Sequence, residues 1–256
     1  MDFKLQGKTA AIIGVEGRLG KEVAVHFASL GCSLALVGKN QSKLDDIARD
    51  CISKGLISKQ VLAVRCDLNQ ESDFENIFSR ISGQLGPLHV LVNCEGAISY
   101  GRLSELTPSA INDAMQVNTL TTAMATKAAT SYLEHTRGVV INITCSCAHR
   151  TSPSLLAFGM AMSSINYFTQ CTAIELAPKG IRVNAVSPSV DVFESLLDPP
   201  PAKPYQEPRK APLNQSPPTV DDVLKTITFL ASDESSFITG EIICVDNGLH
   251  IAGLPF

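Results

Sequence analysis

Short apolar runs alternate along this chain with segments whose apolar residues recur every three or four positions. Residues 9–13 (TAAII) form an unbroken apolar run, the pattern of a strand buried on both faces. Leu19, Val23, Phe27 and Leu30 then follow at helical spacing and stop at Gly31, which predicts a helix. The alternation continues. Strands are predicted over 33–37, 61–65, 88–93, 138–144, 181–187 and 241–245, and helices over 41–54, 73–84, 108–133, 155–176 and 220–231. Strands and helices in strict alternation with short connections imply an α/β fold, a doubly wound parallel sheet of about seven strands with helices on both faces.

Two stretches break the pattern. Residues 189–219 hold most of the chain's fourteen prolines and little periodicity. A long irregular connection inside one domain is expected to be a lid or binding loop over the ligand cleft. Asp191 and Glu194, which open it, are expected to face water. The second stretch, 151–174, carries no charge but includes Pro153, Asn166, Gln170 and several hydroxyls. It suits a buried or interface helix rather than a membrane span.

Composition narrows the classes. The chain has 256 residues, 45% hydrophobic and 18% charged, with a net charge of −4, which suits a single domain over 1–256 with a large core. A mildly acidic balance leaves no electrostatic footprint for nucleic acid. Eight cysteines without a CxxC pair are read as reduced thiols of a cytoplasmic protein. The opening MDFKLQGKTA has neither the apolar run of a signal peptide nor an arginine-rich transit character.

Candidate chemistry gathers at the ends of the predicted strands. Gly14, Gly17 and Gly20 follow the first strand and lead into a helix, the arrangement that offers helix N-terminal amides to a pyrophosphate. Gly38 and Lys39 end the second strand, and Asp67 follows the third. Cys145, Cys147 and His149 follow the fifth at alternate spacing, which is poor for one tetrahedral site, so no metal is assigned.

The runs GKTAAIIGVEGRLGKEVA, CDL at 66–68, LVNCEGA at 91–97, VNTL at 117–120, GVVINIT, APKGIRVNAVSP at 177–188 and FLASDESSFITGEIICVDNG at 229–248 together resemble the short-chain dehydrogenase/reductase family over nearly the whole chain. The resemblance implies a Rossmann-type domain and an NAD(P)(H)-dependent oxidoreductase ancestry. It implies cofactor contacts from Gly14, Gly17, Arg18, Leu19, Gly20, Lys39, Asp67, Asn93 and Gly96. A basic residue at 39 resembles NADP-preferring members, so NADP(H) is the cofactor implied, with weak or absent binding as the alternative. It also implies dimers or tetramers built on the helices over 108–133 and 155–176, or a hetero-oligomer with an active relative.

The family's proton relay is a Ser, a Tyr-x-x-x-Lys pair and a helix Asn. Laid on this chain, the pattern places Cys145 at the Ser, Phe158 at the Tyr and Met162 at the Lys; Asn118 matches, and Ser146 is the nearest hydroxyl to replace the Ser. Phe158 has no proton to give and Met162 no charge. Loss of a positioned acid/base costs about 10²–10⁴ in rate. Tyr167, nine residues later, lies ~13 Å further along a helix axis and cannot substitute. Thirteen residues separate Cys145 from Phe158, the family's Ser-to-Tyr interval, which argues against a misaligned, conventional carbonyl reductase.

Further departures touch the cofactor site. Arg18 stands where the family has its middle glycine, and Glu95 brings a carboxylate to the adenosine side. The two are expected to approach one another across the site. Asn118, without its partners, is expected to stabilise backbone, and Phe158 and Met162 to pack in the core, with an apolar pocket for a small hydrophobic ligand as the alternative. The function expected is a binding or partner subunit that has lost ordinary carbonyl/alcohol hydride transfer. The alternative is altered chemistry in the same cleft, either atypical NADPH-dependent reduction or non-redox isomerisation or cyclisation.

Overall fold

The computed structural model describes residues 5–68, 70–195, 213 and 218–252. Seven parallel strands run in the order β3-β2-β1-β4-β5-β6-β7: β1 (Thr9–Ile13), β2 (Ser33–Gly38), β3 (Val61–Arg65), β4 (Val90–Asn93), β5 (Val139–Ile143), β6 (Arg182–Pro188) and β7 (Ile242–Val245). Period-two alternation within each strand splits the core in two. In β1, Ala10 and Ile12 face one layer, with Phe27, Leu34, Leu36 and Ile227, while Ala11 and Ile13 face the other, with Val37, Phe78 and Leu91. Both faces are covered, which is why the strands read as continuous apolar runs.

The first layer is formed by α1 (Arg18–Ser29), α2 (Gln41–Ser53) and α8 (Val220–Ala231); the second by α3 (Glu71–Leu85) and the long helices after β4 and β5. The helix predicted over 108–133 is interrupted. It runs as α4 (Pro108–Ala114), a π-helical stretch Met115–Leu120 holding Asn118, and α5 (Thr121–Glu134). A π turn accommodates an extra residue, which periodicity alone does not reveal. After β5 comes α6 (Leu156–Leu176). The proline-rich connection begins as a short helix, α7 (Val190–Ser195). Its remainder, and with it the expected overhang of the cleft, lies outside the described residues apart from Leu213, Pro218 and Thr219.

A polar chain crosses the second layer. Register pairs Asn93 of β4 with Asn142 of β5. Asn93 Nδ2 donates to Asn142 Oδ1 (2.8 Å) and to Thr126 Oγ1 of α5 (3.1 Å), and Asn142 Nδ2 donates to Thr169 Oγ1 of α6 (3.0 Å). All four residues are buried, so each bond replaces one to water, and the two to threonines fix a helix to the sheet. Asn142→Ala removes one of the two bonds from Asn93 Nδ2 and the bond that Thr169 Oγ1 accepts. The expected loss is about 2–3 kcal/mol in urea unfolding; a loss below about 0.5 kcal/mol would show that the chain of bonds contributes nothing beyond packing.

Candidate functional site

Winding reverses between β1 and β4, so the crevice opens at the carboxyl ends of these strands. There Gly14 takes a left-handed φ of +75°, and its N–H and that of Val15 both donate to the Val37 carbonyl. Gly17 precedes α1 without a side-chain cap, and the first turn holds no acid, so the helix presents free N-terminal dipole to the crevice. Gly20 is required by packing: a Cβ there would lie 2.6 Å from the Gly14 carbonyl oxygen. A cavity of about 410 Å³ opens here, bordered by Gly17, Arg18, Leu19, Gly96, Ile143 and Met162 among others. The cofactor-loop residues are thus brought together.

The adenosine side is arranged differently from the sequence expectation. Arg18 does not meet Glu95. Its Nη1 donates to the Ser195 carbonyl at the end of α7 (3.1 Å), an acceptor no reading of the glycine loop supplies. Glu95 pairs instead with Lys39, Oε1 to Nζ 3.6 Å, because the loop that follows β4 passes over Gly14 at the end of β1 toward the end of β2. Glu95 also lies on Gly14, where an added Cβ would come within 2.4 Å of its Oε2. Burial pushes the Glu95 carboxyl above the usual range; Lys39 opposes the shift and Glu16 adds to it. Glu16, inside the glycine loop, accepts from the N–H of Lys39 (2.8 Å) and of Asn40, the residue that caps α2. Sequence reasoning missed Glu16, although an acid within a phosphate-binding loop was a visible signal.

Asp67 receives structure from its neighbour, its N–H donating to Asp73 Oδ2 (3.0 Å), and borders a second cavity of about 560 Å³ with Lys39, Arg65 and Cys66. Asn93 is turned into the helix layer by the polar chain described above. Gly96 sits close under Asn118, whose Oδ1 accepts from the Ala97 N–H (3.0 Å) and whose Nδ2 donates to the Ala97 and Ala114 carbonyls (3.3 and 2.8 Å). Asn118 therefore ties the π turn to the loop after β4 as well as bonding within its own helix.

At the mouth of β5 the surroundings are apolar. Phe158 and Met162 are buried one helical turn apart, in a cluster with Cys145, Cys147, Leu155, Ile165 and Val190. The Phe193 ring meets that of Phe158 edge-on, centroids 6.1 Å apart. Thr144 Oγ1 donates to the Met162 carbonyl (3.2 Å). Cys145 Sγ accepts from the Cys147 N–H (3.4 Å), and burial holds the Cys145 thiol well above its ordinary range. Ser146 is 8% exposed in the short turn Ser146–Ala148. Tyr167 is 72% exposed, away from this cluster.

Glu194 corrects the expectation of a solvated acid. It is 8% exposed and accepts from the Tyr100 hydroxyl (2.7 Å), because α7 folds back with Val190, Val192 and Glu194 inward. Asp191 is half-buried. Phe193, Glu194 and Tyr100 carried no local signal, since each depends on where α7 docks. His149 faces Asn166, Nε2 to Nδ2 3.2 Å, and packs against His250, whose Nδ1 bonds the buried Asp246 (2.9 Å). Among the described residues no three His, Cys, Asp or Glu side chains gather as a metal site, and no helix is long and apolar enough to cross a membrane.

The cleft thus suits a dinucleotide only in part. The α1 N-terminus fits a pyrophosphate, but carboxylates occupy the adenosine side and apolar groups stand at the mouth of β5. These residues do not fit the cofactor along its length.

A family model described as enoyl-(acyl carrier protein) reductase matches residues 14–250. A diacetyl reductase [(S)-acetoin forming] of Staphylococcus epidermidis is 28% identical, over 94% of this chain and 98% of that protein. L-xylulose reductase of Bos taurus is 27% identical, over 97% and 98%. The crystal structure of a short-chain type dehydrogenase/reductase from Mycobacterium marinum superposes with a TM-score of 0.82 at 25% identity, covering 96% of each chain.

The raised Glu95 carboxyl has a measurable consequence. A folded value above the unfolded one means that ionised Glu95 costs stability as pH rises above the ordinary 4.5, up to a plateau beyond the folded value. Glu95→Gln is expected to raise the thermal midpoint at pH 7, with the gain fading as pH falls toward 4.5. A lower midpoint for the variant at pH 7 would mean that attraction to Lys39 outweighs burial.

Proposed function

The chain belongs to the short-chain dehydrogenase/reductase family, and from that premise we propose that it has lost ordinary carbonyl/alcohol hydride transfer and acts as a binding or partner subunit. The carrying observation is the apolar cluster at the mouth of β5. Where the family's relay needs a phenol and an ammonium, Phe158 and Met162 are buried against Cys145, Leu155 and Val190. Phe158, Met162, Leu155 and Val190 have no proton to pass to a carbonyl oxygen, and burial makes the Cys145 thiol a weaker acid than an ordinary one. Asn118 is engaged with Ala97 and Ala114 rather than with a relay.

A partner role is supported by α6. Met160, Tyr167 and Ile174, seven residues apart and so on one helical face, are 45%, 72% and 79% exposed. Leu120, at the end of the π turn, is 44% exposed. Exposed apolar side chains in a row along one helix favour a covering surface, and a second copy or an active relative is the occupant we propose.

Purified chain incubated with NADPH or NADH and diacetyl or L-xylulose is expected to oxidise no nucleotide above the rate in buffer. Turnover at an ordinary enzymatic rate, about 1 s⁻¹ or more, would defeat the reading. For the partner role, Tyr167→Asp with Ile174→Asp is expected to lower the mass measured by sedimentation. A wild-type chain that sediments as a monomer would eliminate self-association and leave the hetero-oligomer.

A further inference from the structure

We propose that Glu16 and Glu95 are specificity-determining residues that close this cleft to nicotinamide dinucleotides. The inference deepens the functional reading above, because it adds a reason for inactivity that is independent of the missing relay.

Each carboxylate covers a glycine. Glu16 lies against Gly38, where an added Cβ would come within 2.9 Å of its Cδ and Oε2, and Glu95 lies against Gly14, where the corresponding distance to Oε2 is 2.4 Å. Glycine at the ends of β1 and β2 leaves open backbone of the kind a phosphate or ribose approaches closely. Here that room is filled by side chains of the chain itself.

Charge reinforces the steric argument. The N–H groups of Lys39 and Asn40 form a consecutive pair at the start of α2, suited to an anion. Glu16 takes both. Hydrogen bonds from N–H to an ionised acceptor are the stronger kind, so an incoming phosphate would have to displace them and then sit beside the freed carboxylate. Lys39, which would otherwise attract a phosphate, is engaged by Glu95 at 3.6 Å. Arg18 and the uncapped start of α1 line the same cavity as these two acids, and Arg18 is itself held to the Ser195 carbonyl.

Calorimetric titration of NADPH and NADH into the full chain tests this without reference to turnover. Wild type is expected to give no saturable binding up to about 1 mM, some −4 kcal/mol. Glu16→Ala with Glu95→Ala is expected to bind NADPH at least tenfold more tightly than wild type. The volume-conserving pair Glu16→Gln with Glu95→Gln, which removes charge alone, is expected to show a smaller gain of at least threefold, and it decides the matter if the alanine pair fails to fold. Micromolar binding by wild type, or folded variants that bind no better than wild type, would overturn the proposal. Tight wild-type binding without carbonyl turnover would sink this inference and leave the functional reading standing, whereas carbonyl turnover by wild type would remove both.

Discussion

A parallel sheet that reverses its winding leaves a crevice at its carboxyl edge, the place where such folds take their ligands. In this molecule the reversal falls between β1 and β4, and side chains of the chain itself reach into the crevice beside a cavity of about 410 Å³. Glu16 and Glu95 settle over the glycines at the ends of β2 and β1. The α7 helix lies over the mouth of β5 with Phe193 on Phe158. These contacts come from sequence-distant segments, and they meet only because the strand order brings their loops to one edge. Apolar side chains at positions 158 and 162 and acids at 16 and 95 are thus gathered at one edge of the sheet from different segments.

The sheet below that edge carries an ordinary α/β core, and its most specific feature is polar. The Asn93–Asn142 pair links two neighbouring strands and reaches Thr126 and Thr169 on two helices. Buried amide donors paired in this way set the position of α5 and α6 more narrowly than apolar contacts would. Since α6 carries both Phe158 and Met162, the polar chain also fixes how the apolar cluster faces the crevice.

Strands with both faces buried were legible because burial leaves no polar position to disguise them; TAAII and LALV read directly as β1 and β2. The α8 helix was legible to its ends because Thr219 and Asp222 form a capping box at the start of a strongly amphipathic stretch. The expected approach of Arg18 to Glu95 failed because sequence shows which charges exist, not which strand end lies nearest. Lys39 was nearer, and Arg18 found a carbonyl instead. Glu194 was read as solvated because its partner, Tyr100, lies ninety-four residues away and has no local mark. The π turn escaped because a stretch with one residue too many still looks helical over any short window.

The effect of that π turn is confined to its own neighbourhood. Each residue of an α-helix advances the side-chain direction by about 100°, and the widened turn takes up its extra residue locally, so the helix beyond it keeps the phase of an uninterrupted one. Ala125, Ala129 and Leu133 point into the core in that phase, while Asn118 keeps its grip on Ala97. Deleting a single residue between 115 and 120 would close the turn to ordinary α-helix and leave those three facing the core. What the widened turn secures is therefore local, the placing of the buried Asn118 side chain against the loop after β4.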